Sequence, residues 1–378
     1  MIYIKGVGMT SFGINSEATT KLVYDSALEA LDDANMSMND IDAIVASSIE
    51  MMSNGERQKH TASMISSLFQ KKIPILSVPA GCAGGGTALW TAIKLHEDSG
   101  YKNILAIGFD KIIANMGKKV TDEILTGAER IYEQAEGLIF PAQNALVAQQ
   151  YMLKYGATTD DFALVAYKNH KNAFLNPKAR FYRKKISLDE IKSSPIVSSP
   201  LRVFDCSISC NGSAAVVLSK DKSDIEVAGS AEINDYLSPF EREDMTCMQA
   251  TSIAADSAYK QAGITPDDIE IAEIHDAFTP LELISYEDLG FCKKGEGKNM
   301  IRNGITNMDG KLPVNTSGGL KAKGHPISPT GISQIYEVVN QMRGRCTGRQ
   351  IKNPRYGLVH NIGGVGSVAT VHILRNLN

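Results

Sequence analysis

An internal repeat is the feature of this sequence that most constrains its fold. Residues 30–44, ALDDANMSMNDIDAI, align without gaps on residues 258–272, AYKQAGITPDDIEIA. A second pair follows in the same order, LSVPAG at 76–81 and LPVNTS at 312–317, and a weaker third pair joins NILAIGFD to YGLVHNIGG. The first pair has the pattern of a helix, a turn and a strand. Two copies of an alternating unit predict an α/β protein with two related halves packed together.

The repeat also predicts the domain organisation. It divides the chain into a first half, residues 1–225, and a second half, residues 226–378. The first half is longer, and its surplus lies between residues 112 and 200, where helical patterns dominate and strand signals are sparse. We expect this segment to be an inserted, mostly helical subdomain.

Composition and charge exclude several classes of protein. The 39 Lys and Arg residues against 42 Asp and Glu give a formal net charge of -3, which provides no general attraction to nucleic acid. The six cysteines have no paired spacing, so free thiols in a reducing compartment are expected. No apolar stretch has the length of a membrane span, and the N-terminal residues do not resemble a signal peptide. A cytoplasmic protein without nucleic-acid or membrane partners is therefore expected.

The motifs for common cofactor and metal sites are missing. The sequence contains no P-loop, no HExxH and no CxxC, and GVGMTSFG near the start is not a dinucleotide-binding GxGxxG. Cys206 and Cys210 alone do not make a four-ligand zinc site. We therefore expect no metal and no permanently bound cofactor.

Four residues at predicted strand ends are candidates for chemistry. Cys82 lies in GCAGGG, between a strand and a helix, and His275, His325 and His360 lie in HDAF, GHP and HNIGGVG. Singly, each histidine is more often structural than catalytic, but packing about a pseudo-twofold axis would bring all four together. A helix N-terminus and a nearby imidazole favour the thiolate form of a cysteine. The glycines at 84–86 would let a substrate approach the backbone.

These four motifs, in this order, resemble the thiolase family along essentially the whole chain. The HDAF form, followed by YEDLGFC and GEG, is most similar to the archaeal and sterol-carrier-protein-2-type branch. The resemblance implies a thiolase fold, in which two duplicated βαβαβαββ halves form a five-layered αβαβα sandwich. It also implies that the helical insertion is a loop domain that covers coenzyme A (CoA).

The resemblance implies an acetyl-CoA C-acetyltransferase or 3-ketoacyl-CoA thiolase that works through an acyl-cysteine. His325 would take the proton of Cys82, and His325 together with a water held by His275 would stabilise the enolate. Backbone oxyanion donors are expected at Cys82 and among Gly324, Gly363 and Gly364. The family's second cysteine is missing, because His360 and Ala277 stand at its two known places. His360 would either remove the α-proton or only orient Cys82 or a water.

The resemblance also suggests substrate contacts and partners. The basic run 168–185 holds seven Lys and Arg residues and no acidic residue, and it would be either a solvated face or a contact for the phosphates of CoA. The candidate contacts in this run are Lys178, Arg180, Arg183 and Lys184. A homodimer or a dimer of dimers is expected, together with a complex with a small zinc-ribbon/OB-fold protein and hydroxymethylglutaryl-CoA synthase.

Two other functions fit the same residues. One is a related condensing enzyme of the ketoacyl synthase or hydroxymethylglutaryl-CoA synthase type, which also uses a cysteine and a histidine. The other is a lipid-binding or scaffolding homologue with impaired catalysis, which the missing second cysteine would explain.

Overall fold

The computed structural model describes residues 1–14, 16–50, 56, 58–98, 100–112 and 117–378. Residues 113–116 of the predicted insertion lie outside the described residues. The described strands are β1 Tyr3–Met9, β2 Ala43–Ser47, β3 Ile75–Ser77, β4 Asn103–Asp110, β5 Ile196–Ser198, β6 Leu201–Arg202, β7 Gly212–Ser219, β8 Ile225–Asn234, β9 Ile271–Glu273, β10 Tyr356–Gly363 and β11 Val368–Asn376. The helices are α1 Thr19–Asp33, α2 Thr61–Phe69, α3 Gly84–Asp98, α4 Gly117–Leu125, α5 Phe140–Tyr155, α6 Thr159–Phe174, α7 Leu188–Ser193, α8 Gln249–Ala262, α9 Thr279–Asp288, α10 Gly297–Arg302 and α11 Thr330–Met342.

The strand order shows the duplication directly. The main sheet of the described residues runs β3-β2-β4-β7-β1-β8-β11-β10-β9. In the first half β2 pairs in parallel with β3 and β4, and in the second half β9 pairs in parallel with β10. The counterpart of β3 is reduced to a parallel bridge between Ala272 and Val314. The two halves meet where Tyr3 and Ile4 pair with Glu226 and Ile225.

Helices pack on both faces of each half-sheet. Helix α1 covers β1, β4 and β7 on the outer side of the first half, and α8 covers β8 and β11 on the outer side of the second. Helices α3 and α11 contact each other and strands of both half-sheets, so they form the central layer. This arrangement agrees with the predicted five-layered αβαβα sandwich.

The first repeated segment has the same local structure in both copies. After α1, Ser37 begins a 3₁₀ turn in which the Asp40 carboxylate accepts the backbone N–H of Ser37 at 2.8 Å. After α8, Thr265 and Asp268 form the same turn, also at 2.8 Å. Each turn leads into a parallel strand. Helix, capped turn and strand therefore repeat as the sequence predicts.

The glycines after Cys82 serve helix packing rather than substrate approach. A Cβ atom on Gly85 would lie 2.8 Å from the backbone nitrogen of Gly331 in α11, which is closer than real Cβ contacts. A Cβ atom on Gly86 would collide with the Thr370 side chain of β11. Gly85 and Gly86 are buried. Small residues are needed here because α3 packs directly against α11 and the second half-sheet.

Helices α4 to α7 lie between β4 and β7, where the sequence analysis places an insertion. The short strands β5 and β6 pair with each other in a separate two-stranded sheet. The predicted boundary between residues 225 and 226 falls at the start of β8. The division of the chain into domains remains a prediction.

Candidate active site

Cys82 lies in a 3₁₀ turn between β3 and α3. Gly81 has a φ of +50°, in the left-handed region that favours glycine, where the chain leaves the strand and enters the turn. The Cys82 side chain is half-buried and packs, like Ile49, against the buried cluster of Ile112 and Ile327. The predicted strand-to-helix turn thus holds the thiol in a small apolar cluster.

The side chain of Asn361 connects this turn to the second half of the chain. Its Nδ2 atom donates a hydrogen bond to the Cys82 carbonyl oxygen at 3.0 Å and lies 3.0 Å from His275 Nδ1. Its Oδ1 atom accepts the backbone N–H of Gly86, in the first turn of α3, at 3.2 Å. Asn361 is fully buried. The sequence analysis missed this residue, although it directly follows His360.

His275 and His325 lie side by side. Their ring centroids are 5.4 Å apart, with an interplanar angle of 89°. His325 Nδ1 lies 2.7 Å from Thr330 Oγ1, and the backbone N–H of His325 donates to the carbonyl oxygen of Ile208 at 2.9 Å. Burial lowers the pKa of His325 to about 3 and lowers that of His275 well below 6.5. Both rings are therefore neutral near pH 7.

His360 is not part of this group. Adjacent side chains on a strand point to opposite faces of the sheet, and Asn361 faces the central layer. His360 faces the outer layer instead, where its Nε2 atom lies 2.9 Å from Thr251 Oγ1 of α8. The expectation that His360 acts as a base or orients Cys82 is corrected by this placement, since the polypeptide of β10 separates its ring from the thiol.

The resting Cys82 thiol is protonated, in contrast to the thiolate expected from the sequence. Burial raises its pKa to about 12, and the negative charge of Asp110 adds to the effect. The backbone N–H groups of Gly364 and of Cys82 itself face the sulfur and lower the pKa, but by less. The thiol therefore needs a proton acceptor that acts once substrate is bound.

Two buried aspartates hold the loops around Cys82. Asp110, at the end of β4, accepts hydrogen bonds from Ser48 Oγ at 2.9 Å and from the backbone N–H of Ser328 at 2.6 Å. Asp276 accepts the backbone N–H of Leu320 at 2.6 Å and thereby fixes the segment before His325. The residue that follows His275 in HDAF is thus a structural anchor.

The three glycines expected to supply backbone donors have different roles. Gly364 has a φ of +57°, and its N–H faces the Cys82 sulfur. Gly363 packs on the cysteine turn, because a Cβ atom there would lie 3.1 Å from the Ala80 carbonyl oxygen. Gly324 has a φ of +118°, and a Cβ atom there would lie 2.7 Å from Cys210 Sγ. The geometry therefore places Gly364 at the sulfur, and Gly324 sets the backbone conformation before His325.

Comparison with known protein families agrees with this arrangement. Residues 2–220 match the family model described as "Thiolase, N-terminal domain", and residues 231–376 match "Thiolase C-terminal domain-like". The chain belongs to the thiolase family. The expected enzyme class, an acyltransferase, is confirmed by relatives along nearly the whole chain.

Three similar proteins show the range of this family. An "Acetyl-CoA acetyltransferase" of Methanothermobacter thermautotrophicus is 38% identical over 384 residues, which cover 98% of each chain. Human "Sterol carrier protein 2" is 31% identical over 97% of this chain and 70% of its own. The solved structure named "Ltp2-ChsH2(DUF35) aldolase" has a TM-score of 0.83 at 27% identity and covers 99% of this chain and 97% of that chain.

The basic residues expected to bind CoA in this thiolase are not equivalent. Lys178 forms an ion pair with Glu29 at 2.5 Å and packs over the ring of Tyr336. Its ammonium group is therefore occupied within the protein, and we correct the expectation that it contacts CoA. Arg180 lies beside the GHP segment, where its backbone N–H donates to the Lys323 carbonyl oxygen at 2.8 Å. Its Nε atom is buried without a hydrogen-bond partner.

Arg183 and Lys184 are exposed. The Arg183 guanidinium stacks on Tyr182, 5.0 Å from the ring centroid. Lys184 lines a cavity of 370 Å³, whose other lining residues are apolar, aromatic and basic: Tyr167, His170, Lys171, Phe174, Leu175, Lys185 and Ile186. Among the four predicted contacts, Lys184 thus lines this cavity.

No group of His, Cys, Asp and Glu in the described part of the chain is arranged to hold a metal ion. Among the same residues, no helix has the length and apolarity required to cross a membrane.

The raised pKa of Cys82 predicts its reactivity. At pH values well below a pKa of about 12, the thiolate fraction of Cys82 rises tenfold for each pH unit. The rate of alkylation of Cys82 by iodoacetamide should therefore be low at pH 7 and rise steadily up to pH 9. Asp110→Asn removes the nearby negative charge, lowers the pKa and should accelerate alkylation at any given pH. Peptide mapping by mass spectrometry measures the rate. A rate that is already maximal at pH 7 would show that the thiolate is present at rest.

Proposed function

We propose that this thiolase condenses two acetyl-CoA molecules to acetoacetyl-CoA and CoA, or cleaves 3-ketoacyl-CoA with CoA, through an acyl-cysteine on Cys82. The observation that carries this proposal is the surroundings of the Cys82 sulfur. Two backbone N–H groups face it, and Asn361 connects its turn to His275, beside which His325 lies. The names of the archaeal relatives support acetyl-CoA as the acyl donor.

The first half-reaction acylates the cysteine. His325 accepts the Cys82 proton, and the sulfur attacks the thioester carbonyl of acetyl-CoA. The negative charge that develops on the carbonyl oxygen is stabilised by the N–H groups of Cys82 and Gly364, which are preorganised before substrate binds. CoA leaves and takes the proton from His325.

In the second half-reaction a second acetyl-CoA loses an α-proton. Its enolate carbon attacks the acetyl group on Cys82, and the new carbon–carbon bond gives acetoacetyl-CoA. The substrates are CoA thioesters, and the proposed reaction uses no permanently bound cofactor.

The cavity beside α6 is a candidate site for the nucleotide of CoA. Its rim carries Lys171, Lys184 and Lys185, and its walls include Tyr167 and Phe174. Ammonium groups and aromatic faces suit phosphates and an adenine ring, respectively. Arg183, which is exposed, and Arg180, whose Nε atom has no hydrogen-bond partner among the described residues, are further candidate contacts along the same segment.

Partners are proposed from two observations. Strand β3 forms an edge of the main sheet, and pairing of this edge with a second copy would give the expected homodimer, from which a dimer of dimers can form. The solved neighbour is named as an assembly with ChsH2(DUF35), which supports a small partner protein for this chain. We retain the zinc-ribbon/OB-fold protein, hydroxymethylglutaryl-CoA synthase and a cytoplasmic location as parts of the proposal.

One observation favours a second candidate, a lipid-binding or scaffolding homologue with impaired catalysis. His360 and Ala277 stand at the two places where the family carries a second cysteine, and relatives include sterol carrier protein 2. A condensing enzyme of the synthase type is a third candidate, which decarboxylation of malonyl-CoA would identify.

Acylation of Cys82 separates these candidates. Acetyl-CoA should give a rapid burst of CoA release and one acetyl group on the intact protein, measured by mass spectrometry. Cys82→Ser should abolish both, whereas Cys292→Ser, at another half-buried cysteine, should retain them. A protein that binds acetyl-CoA without becoming acylated would contradict the proposed mechanism and favour the lipid-binding candidate.

Lys184→Glu tests the CoA cavity. Loss of a charge-assisted hydrogen bond to phosphate costs about 1.5–3 kcal/mol, so the KM for CoA in acetoacetyl-CoA cleavage should rise at least tenfold with little change in kcat. Lys260→Glu on α8 makes the same change of charge at an exposed position and should leave the KM unchanged. Equal effects of the two variants would indicate only long-range electrostatics.

A further inference from the structure

The contacts of Asn361 determine which nitrogen of His275 carries the proton. The backbone N–H of Gly86 can only donate, so it faces the amide oxygen of Asn361. The Cys82 carbonyl can only accept, so it faces the amide nitrogen. This nitrogen also lies 3.0 Å from His275 Nδ1 and donates to it. Neutral His275 therefore carries its proton on Nε2 and presents an N–H donor.

His325 has the opposite arrangement. The hydroxyl of Thr330 donates to the Pro326 carbonyl oxygen at 3.2 Å. Because a hydroxyl has one proton and the Pro326 carbonyl can only accept, we assign Thr330 Oγ1 as the acceptor of the proton on His325 Nδ1, which lies 2.7 Å away. Neutral His325 therefore carries its proton on Nδ1, and its Nε2 atom has a free lone pair.

The Nε2 edges of both rings are not used by the protein's own hydrogen bonds. Within the described residues, no hydrogen-bond partner is found for the Nε2 atoms of His275 and His325. Neither atom belongs to the set of fully buried polar atoms that lack a partner. The two rings are perpendicular, with centroids 5.4 Å apart. The pair thus presents one proton donor and one proton acceptor close to each other.

Four neighbouring groups are poorly suited to act as the second base. His360 lies on the other face of β10, and Ala277 has no acid–base group. The Asn361 amide nitrogen has no lone pair available for a proton. Asp110 uses both oxygens to accept hydrogen bonds, from Ser48 and Ile49 with Oδ1 and from Ser328 with Oδ2.

We propose that His325 is the base of both half-reactions, and that His275, oriented by Asn361, donates its Nε2–H directly to the enolate oxygen. This inference rests on the proposed function. It replaces the two-base scheme suggested by the family resemblance, in which a second cysteine removes the α-proton. Asn361, at the face of β10 directed towards Cys82, acts as a positioning residue.

The proton and electron pairs balance over the second half-reaction. His325 Nε2 takes a proton from the methyl carbon of acetyl-CoA, and the electron pair of that C–H bond moves to the thioester oxygen, which accepts from His275. The enolate carbon then bonds to the acyl carbon on Cys82 and the C–S bond breaks. The electron pair of the C–S bond stays on the Cys82 sulfur, which takes the proton back from His325.

The same substitution at both histidines tests this assignment. Glutamine can donate a hydrogen bond but cannot act as a base near pH 7. The assay is exchange of the acetyl-CoA methyl protons in D₂O, followed by mass spectrometry, in a Cys82→Ala background that cannot be acylated. Adding His325→Gln should slow exchange by about 100-fold to 10,000-fold. Adding His275→Gln should slow it by no more than about tenfold, and adding His275→Ala by about 100-fold or more.

Other patterns of exchange among these variants would contradict the roles assigned to His325 and His275. Exchange that persists with His325→Gln but is lost with His275→Gln would make His275 the base. Absence of exchange in the Cys82→Ala parent would make Cys82 itself the base. Adding His360→Ala should leave exchange at the parent rate, and a loss would restore His360 as the base. Failure of the acylation burst in the protein with Cys82 intact would instead overturn the proposed function, independently of exchange.

Thr330→Val provides a second test that does not alter either histidine. It removes the acceptor of His325 Nδ1–H and should slow exchange about tenfold, because the ring loses the contact that holds its tautomer and orientation. An unchanged exchange rate in a folded Thr330→Val variant would contradict the assigned tautomer of His325.

Discussion

The buried amide of Asn361 is the contact on which the arrangement of the site depends. It hydrogen-bonds the cysteine turn, the first turn of α3 and His275 at once. These groups come from both halves of the chain, so the site exists only when the halves are packed together. Close packing of α3 on α11, which requires glycine at Gly85, brings the two repeats near enough for these bonds to form. A single side chain thereby couples the fold to the tautomer of His275.

Buried ion pairs hold the surrounding loops. Lys168 of α6 pairs with Glu282 of α9 at 2.7 Å and also donates to the Val314 carbonyl oxygen, which ties the helical insertion to the second half. Lys323, two residues before His325, lies 3.7 Å from Glu273. Burying such charges is costly unless they are paired, and loss of one partner leaves an uncompensated charge. The pair between Lys323 and Glu273 therefore helps to fix the position of the GHP segment.

Much of the fold could be predicted from the sequence because the repeat is local. The helix, capped turn and strand at Ser37–Asp40 and Thr265–Asp268 depend on residues close together in the chain. The positions of Cys82, His275 and His325 next to turns followed from the same patterns. The reduction of one strand of the second copy to a bridge at Val314 depends on packing and left no such signal.

Two of the differences between the predicted site and the structure have clear physical causes. His360 and Asn361 are neighbours on one strand, and only the three-dimensional structure shows which of them faces the central layer. Lys178 pairs with Glu29, 149 residues away in sequence, so a basic run alone cannot show which ammonium groups are free.

The central claim is that the contacts of Asn361 and Thr330 fix opposite tautomers of His275 and His325. The ¹⁵N NMR spectrum of the histidine rings at pH 7, assigned with the glutamine variants, tests this claim most directly. We predict a neutral His275 protonated at Nε2 and a neutral His325 protonated at Nδ1. A His275 ring protonated at Nδ1 would contradict the role assigned to Asn361.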